Sequence, residues 1–285
     1  MTEPLLIRPG QNNRGSLDEV VTIRAHAKLT RTLKLTGVRS DGFHLLDAEM
    51  VSLELHDLVT VDPSGSGITV TGPYAAGVPT DGSNLVARAL DMAGRTAHVT
   101  IDKRIPHGGG LGGGSTDAAA ILHWAGFGTD PDSLGRASTL GADISFCLVG
   151  GRARVTGIGE IVEPLDHLDR RITLVIPPLA VSTPAAYRAW DDLGAPTGDG
   201  PNDLEAAAIA VEPRMAWWRD AIAAAVGVAP VLAGSGATWF VELDGTGAAP
   251  SDRERANALG ELVDEGARIV ETRTTAEPLR VSDVS

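Results

Sequence analysis

A cluster of glycines near the middle of the chain limits its fold more than any other feature of the sequence. Six of the seven residues at 108–114 are glycine, and Leu111 is the exception. A strand-like segment at 97–101 precedes the cluster, and an alanine-rich, helix-favouring segment at 117–125 follows it. Glycine lets a backbone approach a ligand closely, and the free N–H groups at a helix start attract anions. This context predicts a phosphate site and disfavours a flexible linker.

The glycine cluster differs from the two most familiar phosphate loops. A P-loop has a lysine just before the Ser or Thr that begins its helix, but here Gly114 precedes Ser115 and Thr116. The dinucleotide-binding loop normally opens the first strand–helix–strand unit of its domain, whereas this cluster begins only at Gly108. Both motifs are therefore disfavoured.

The overall charge narrows the classes of partner. The 285 residues carry a formal net charge of −13, and a nucleic-acid surface needs a basic patch, so no nucleic-acid partner is expected. The sequence has no run of about 18 apolar residues and no signal-peptide pattern at its start, which predicts a soluble, cytoplasmic protein without membrane contact. An anionic nucleotide must then be held locally, by backbone N–H groups and a few cations.

Length and patterning predict two domains. A chain of 285 residues exceeds the usual size of one domain, and its 43% hydrophobic content is enough for two cores. The pattern of strands and helices begins at position 20, closes near 164 and restarts, which predicts an α+β chain with domains at 20–164 and 165–285. Positions 1–19 include a polar, turn-rich stretch and are expected to form a flexible extension.

Several elements have clear local signals. Residues 84–93 place apolar side chains at helical spacing, and Asp130 followed by Pro131 predicts another helix start. The apolar run at 144–148 predicts a buried strand, with Asp143 emerging just before it. The single cysteine, Cys147, lies in this run and is expected to be buried and inert.

Ordered motifs along most of the chain resemble the GHMP kinase superfamily. Residues 106–119 fit its second motif, which has proline, three variable residues, Gly-Leu-Gly, two small residues and then alanines. Further blocks are similar to one family within it, the 4-diphosphocytidyl-2-C-methyl-erythritol kinases; they lie at 27–29, 35–44, 83–86, 101–106, 140–143 and 157–160. Weaker matches follow at 183–184, 201–205 and 232–237. Several motifs at compatible spacing are more specific than any one of them.

The resemblance implies a fold and a reaction. The fold would be a two-domain α+β GHMP kinase, with a nucleotide domain like ribosomal protein S5 domain 2 followed by a ferredoxin-like substrate domain. The enzyme would use ATP, with Mg²⁺ bridging its phosphates, to phosphorylate the 2-hydroxyl of 4-diphosphocytidyl-2-C-methyl-D-erythritol in the non-mevalonate isoprenoid pathway. The expected assembly is a monomer or weak homodimer. A kinase for another small alcohol, such as mevalonate or homoserine, and a catalytically inactive nucleotide-binding relative stay open as alternatives.

Two residues are expected to carry the chemistry. Phosphoryl transfer needs neutralised phosphate charge, an aligned nucleophile and a proton acceptor. The resemblance makes Asp143 the general base and Lys28 the catalytic lysine, whose ammonium would stabilise the developing alkoxide. Without the resemblance, Lys28 is merely a polar residue in an alternating strand.

The resemblance also assigns residues to the nucleotide. Asn84, Leu85 and Lys103 match positions around ATP, although Lys103 beside Arg104 is equally well explained as an exposed charge pair at a strand end. The triphosphate is expected against Pro106, Gly108, Gly109, Gly110, Leu111, Gly112, Gly113, Gly114, Ser115 and Thr116. Ser115 is also the expected Mg²⁺ ligand, with a simple helix N-cap as the alternative role.

A third group is assigned to the substrate. Phe43 stands where the family has a base-stacking tyrosine, and His44 stands where a histidine contacts cytidine. Tyr187 resembles the opposing aromatic wall, with a core helix position as the alternative. Stacking on aromatic side chains is worth roughly 1–3 kcal/mol per base. The expected set also includes Thr30, Asp143, Gly234 and Ser235, the last two in a second glycine turn; Asn202 and Asp203 would either face the substrate or cap a helix.

Three positions depart from the family pattern. Thr30 replaces a usual asparagine, His107 stands where a small or apolar residue is common, and Asp117 replaces an asparagine of many relatives. Thr30 matters most, because its hydroxyl lacks the reach of an amide. Asp117 suits the positive end of the helix dipole and could help to bind Mg²⁺, but it adds negative charge near the phosphates.

Overall fold

The computed structural model describes residues 17–243 and 252–283, so almost all of the predicted extension at 1–19 lies outside the described residues. The described ranges contain eleven strands and eight helices, which confirms the α+β class. The strands are β1 (Val21–Val38), β2 (His44–Asp62), β3 (Gly67–Thr71), β4 (His98–Asp102), β5 (Arg152–Gly157), β6 (Ile161–Leu165), β7 (Arg171–Ile176), β8 (Val231–Leu232), β9 (Trp239–Leu243), β10 (Arg268–Thr275) and β11 (Val281–Asp283). The helices are α1 (Leu85–Ala93), α2 (Gly113–Trp124), α3 (Pro131–Ser138), α4 (Ala142–Val149), α5 (Thr183–Asp192), α6 (Glu205–Val211), α7 (Arg214–Val226) and α8 (Asp252–Asp264).

Two long antiparallel strands, β1 and β2, form the centre of the amino-terminal sheet. β2 pairs with β1 on one side, and on its other side it pairs in turn with β5, β10 and β4. β3 adds parallel to β4, and β6 adds antiparallel to β5. Buried and partly exposed residues alternate along β4, as expected for a sheet with one covered face.

Strand β1 is irregular where it passes the glycine loop. Its register with β2 shifts after His26 and again after Thr30. Such bulges re-aim side chains, and Lys28 and Thr30 lie in the short segment between the two shifts. The backbone N–H of Lys28 donates to the carbonyl of Leu111 at 3.0 Å, so the irregular strand is tied directly to the loop.

Helix α2 lies at the centre of the amino-terminal half. It packs against α1, α4, β1 and β2, and Ala118, Ala119 and Ala120 are fully buried. A helix that is apolar on nearly all sides is stable only when it is enclosed, and alanine lets its neighbours approach closely. The alanine-rich sequence after the glycines is thus the core of the fold, and it fixes where the loop is held.

The predicted strand at 144–148 is wrong. The chain is helical there as α4, and Asp143 lies in the first helical turn. A short apolar run fits a buried helix as well as a buried strand, and Gly141 and Gly150 flank this one at its two caps. Cys147 is buried as predicted, but on a helix, and burial raises the pKa of its thiol.

The carboxy-terminal sheet is antiparallel and shares one strand with the first sheet. Its order is β10, β7, β9, β8. Residues 268–273 of β10 pair with β7, whereas Thr274 and Thr275 pair with β2, and β11 then pairs with β1. The domain boundary at 164/165 stays a prediction. Among the described residues, no helix has the length and apolar character that a membrane crossing requires.

Candidate active site

A cavity of about 440 Å³ lies beside the glycine loop. The starts of α2, α4 and α5 reach it, together with the irregular part of β1 and the glycine turn at 234–235. Many of the residues predicted from the sequence line it, namely Lys28, Thr30, Phe43, His44, Gly110, Ser115, Asp143, Tyr187, Gly234 and Ser235. The fold therefore brings the predicted catalytic pair, the substrate group and part of the loop together.

Lys28 and Asp143 form an ion pair in this cavity. Lys28 Nζ lies 3.1 Å from Asp143 Oδ2 and donates to Thr30 Oγ1 at 3.2 Å. Only 6% of the Lys28 side chain is exposed, whereas 30% of the Asp143 side chain is exposed. The ammonium is therefore sheltered, and the carboxylate remains accessible to a ligand.

The start of α2 faces the cavity with backbone N–H groups that no side chain caps. Gly112 is the N-cap residue, with a left-handed φ of 69°, and no side chain caps the helix. Helix starts leave N–H groups without intrahelical partners, and these attract anions. Ser115 lies inside the helix, so the N-cap interpretation of Ser115 is wrong. Its hydroxyl makes no hydrogen bond to a described residue and lines the cavity.

Close packing explains why glycine is needed at two loop positions. A Cβ on Gly112 would lie 2.6 Å from Lys28 Cγ. A Cβ on Gly110 would lie 2.8 Å from the carbonyl oxygen of Ala233. The loop is thus held between Lys28 and the second glycine turn.

Asn202 holds that second turn in place. Its buried amide donates to the carbonyls of Leu232 at 2.8 Å and Gly234 at 2.7 Å, and its Oδ1 accepts from the N–H of Leu204. Asp203 pairs with Lys34 on β1. Neither residue lines the cavity. Both therefore support the turn and strand that do.

Lys103 lies behind the loop in a buried cluster of charges. Its ammonium donates to Asp57 and, at 2.8 Å, to Asp117, and Lys103 is only 2% exposed. The interpretation of Lys103 as an exposed charge pair is therefore wrong; Arg104 alone is at the surface, paired with Asp102. No sequence motif indicated the role of Asp57.

This cluster carries one more negative than positive charge when both carboxyls are ionised. Burial raises the pKa of Asp117 to about 7. The positive charge of Lys103 lowers this pKa, whereas the negative charge of Asp57 raises it further. Burial disfavours the charged form of Lys103, but its two carboxylate partners outweigh this and raise its pKa. Asp57 Oδ1 also accepts from the N–H of Ile105 at 2.8 Å, which fixes the chain just before the glycines.

Asn84 and Leu85 lie at the start of α1. Asn84 is its N-cap: Oδ1 accepts from the N–H of Val86 at 2.8 Å, and Nδ2 donates to the carbonyl of Pro79 at 2.6 Å. Leu85 packs 3.6 Å from the place that a Cβ on Gly114 would occupy. Neither lines the cavity, and their assignment to ATP stays a prediction. The same holds for the loop residues outside the lining.

The aromatic residues form one wall of the cavity. Phe43 is 56% exposed, and the Arg39 guanidinium lies 5.6 Å from its ring centre. The rings of His44 and Tyr187 are 4.9 Å apart. Tyr187 lines the cavity and also packs against the core, so both of its interpretations hold in part. Burial and the charge of Asp143 raise the pKa of Tyr187 to about 12.

None of the remaining lining residues was predicted as part of the site. They are mostly apolar: Leu33, Leu46, Met50, Ala142, Ile158, Thr183 and Pro184, with Gly42 at the turn. Gly42, Ala142 and Ile158 lie in the matched blocks at 35–44, 140–143 and 157–160, and Thr183 and Pro184 lie in a weaker one. Nothing in the sequence distinguishes Leu33, Leu46 and Met50 from ordinary core residues. Thr183 Oγ1 and Ser235 Oγ are 2.8 Å apart and join α5 to the second glycine turn.

Two relatives with similar sequences carry the same enzyme name. The GHMP kinases N terminal domain matches residues 84–151. The 4-diphosphocytidyl-2-C-methyl-D-erythritol kinase of Paracoccus denitrificans is 40% identical over 235 residues, which cover 76% of this chain and 84% of the relative. The enzyme of the same name from Ruegeria pomeroyi is 36% identical over 263 residues, covering 84% of this chain and 92% of the relative.

Solved structures agree on the fold. The crystal structure of a 4-(cytidine 5'-diphospho)-2C-methyl-D-erythritol kinase has a TM-score of 0.66 at 29% identity, covering 90% of this chain and 100% of that chain. A putative homoserine kinase from Listeria monocytogenes has a TM-score of 0.60 at 14% identity, covering 94% of this chain and 100% of that chain, and at that identity it speaks for the fold alone. The predicted two-domain α+β fold class is thereby confirmed.

Proposed function

This chain belongs to the 4-diphosphocytidyl-2-C-methyl-D-erythritol kinase family, and we infer that it transfers the γ-phosphoryl group of ATP to the 2-hydroxyl of that alcohol in the non-mevalonate isoprenoid pathway. One observation carries the inference for this chain's own residues: the Lys28–Asp143 ion pair lies between an uncapped glycine-rich helix start and an aromatic wall. An anion site, a base and a ring-binding surface in one cavity are what this reaction requires.

Asp143 takes the proton of the acceptor hydroxyl. Its partly exposed carboxylate faces the cavity, where a hydroxyl can come within hydrogen-bond reach. The hydroxyl oxygen then bonds to the γ-phosphorus, the bond from that phosphorus to the β–γ bridging oxygen breaks, and ADP leaves with the electron pair. Lys28 Nζ, 3.1 Å from the carboxylate, stabilises the negative charge that develops on the attacking oxygen.

The glycine loop binds the phosphates. The free N–H groups and positive dipole end of α2 offset phosphate charge without a local cluster of cations. Mg²⁺ supplies further neutralisation of the phosphates when bound, and it prefers one or two protein oxygens together with phosphate oxygens. The Ser115 hydroxyl fits this requirement, because it makes no hydrogen bond to a described residue and lines the cavity.

The aromatic wall favours a cytidyl substrate over the other small alcohols. Phe43 and Tyr187 offer ring faces, and His44 offers a polar edge beside Tyr187. Homoserine and mevalonate carry no base that would use such a wall. An inactive relative is disfavoured because both members of the catalytic pair are present and in contact. A cytoplasmic location and a monomer or weak homodimer stay predictions.

The test is ADP release by the purified protein with MgATP. The acceptors are the cytidyl alcohol, mevalonate, homoserine and none, and Asp143→Asn is the control. We expect release only with the cytidyl alcohol, and a loss of turnover of roughly 10²–10⁴-fold in Asp143→Asn while ATP binding is kept. ADP release with only another alcohol would contradict the proposed cytidyl substrate. Near-normal turnover in Asp143→Asn would contradict the role of Asp143 as the general base.

A further inference from the structure

The imidazole of His44 is held by a carboxylate outside the cavity lining. His44 Nε2 lies 2.9 Å from Asp191 Oδ1, and Asp191 is in the last turn of α5. The His44 ring also packs 4.9 Å from Tyr187 and lies edge-on to Trp190 at 5.6 Å. Only 11% of the His44 side chain is exposed. Its ring therefore has a defined orientation in the wall.

This contact determines which imidazole nitrogen carries the proton. An ionised carboxylate can only accept hydrogen bonds, so Nε2 must be the N–H donor to Asp191. In a neutral imidazole the other nitrogen, Nδ1, then keeps its lone pair and is an acceptor. Within the described residues, Nδ1 of His44 makes no hydrogen bond, and the side chain lines the cavity.

We propose that Asp191 is a positioning residue that fixes the tautomer of His44 and thereby makes the site select cytosine over uracil. The proposal rests on the proposed function, because the base of the substrate must enter this part of the cavity. Cytosine carries an amino group, which donates, where uracil carries a carbonyl oxygen, which accepts. An acceptor at Nδ1 pairs with the amino group, whereas two acceptors face each other when uracil is bound.

The size of the preference follows from the loss of one hydrogen bond. Leaving a buried polar group unpaired lowers affinity by roughly 10- to 100-fold. Because the base is far from the reacting oxygen, the preference is expected in binding of the nucleotide part itself. The diphosphates CDP and UDP therefore suffice as probes, and the measurement does not depend on turnover.

The first experiment reads the tautomer directly. The full-length protein is labelled with ¹⁵N-histidine, His44 is assigned with His44→Gln, and the ring nitrogens are observed at about pH 8, where an ordinary imidazole is neutral. We expect Nε2 protonated and Nδ1 unprotonated in the wild type. A protonated Nδ1 would overturn the proposal, whether or not the protein is a kinase.

The second experiment measures base selection. CDP and UDP are titrated into protein saturated with MgADP, using the wild type, Asp191→Ala and Asp191→Asn. The matched control is Asp192→Ala, which removes the same charge from the adjacent, exposed position. We expect the wild type and the control to prefer CDP by roughly 10- to 100-fold. The preference should fall several-fold in Asp191→Ala and recover in part in Asp191→Asn, whose amide oxygen still accepts from Nε2–H.

Two results would contradict the positioning role. One is an unchanged ratio of CDP to UDP affinity in Asp191→Ala. The other is an equal loss of both affinities in the Asp191 and Asp192 variants, which would indicate a general effect of surface charge. If the protein failed to phosphorylate the cytidyl alcohol but showed the expected tautomer and base preference, the proposed reaction would be contradicted and the role of Asp191 supported.

Discussion

Gly112→Ala should separate the glycine loop's effect on catalysis from its effect on stability. Gly112 has a φ of 69°, a region that L side chains rarely adopt, and it begins α2. A Cβ there would lie 2.6 Å from Cγ and 3.3 Å from Cε of Lys28. Because the first distance is too short for two carbons, the stem of Lys28 must move away, and its ammonium must move with it.

The magnitudes follow from these two effects. A left-handed backbone costs an alanine about 1–2 kcal/mol, which corresponds to a fall in Tm of about 2–8 °C for a chain of this size. A catalytic group displaced by about 1 Å costs on the order of 10²-fold in rate. We therefore expect kcat to fall about 100-fold in Gly112→Ala, far more than the loss of folded protein at the assay temperature would explain.

The assay is steady-state turnover together with thermal unfolding of the same preparations. The matched control is Gly135→Ala in α3, where an added Cβ meets nothing within 4 Å and the φ is not positive. It should keep normal turnover and gain about 0.5–1 kcal/mol, because alanine is the better helix residue. Normal kcat in folded Gly112→Ala would refute the argument that the loop positions Lys28.

Two further predictions concern groups behind the site. Burial raises the pKa of Asp117 to about 7, so the folded protein favours the protonated carboxyl of this residue. The free energy of unfolding therefore decreases as the pH rises from about 4 towards 7. The Tm of Asp117→Asn relative to the wild type should therefore increase between about pH 5 and pH 8; a constant difference would contradict the shift. Asn202→Ala leaves the buried carbonyls of Leu232 and Gly234 without a donor and should cost about 1–3 kcal/mol in urea unfolding. It should also raise KM for the cytidyl alcohol, and an unchanged KM would show that the turn does not need this support.

The local sequence was enough to predict the helices whose starts are marked by capping residues. Asp130 caps α3 by accepting from the N–H of Ser133, and Pro131 occupies its first turn, as predicted. Asn84 likewise caps α1, a helix that the apolar spacing predicted. Helix α4 was missed because its apolar residues are buried on nearly every side by α2 and α3, which removes the periodicity that separates helix from strand.

The part of the site that consists of motif residues could also be predicted from the local sequence. The motif residues carry their resemblance in the local sequence, and the cavity brings Lys28 and Asp143 together as expected. The supporting contacts could not be predicted, because they join residues that are far apart in the chain. Asp57 is 46 positions from Lys103, and Asp191 is 147 positions from His44. Only the folded sheet and helices determine that these side chains meet.

The sharing of β10 between the two sheets has a consequence for synthesis on the ribosome. Residues 274–275 fill a place along β2 between its pairings with β5 and β4, and β11 covers an edge of β1. Until β10 and β11 have been synthesised, part of β2 has no partner strand on one side and one edge of β1 is unpaired. Such edges favour pairing with other chains. Nascent chains stalled before position 268 should therefore depend on chaperones more than the complete protein does.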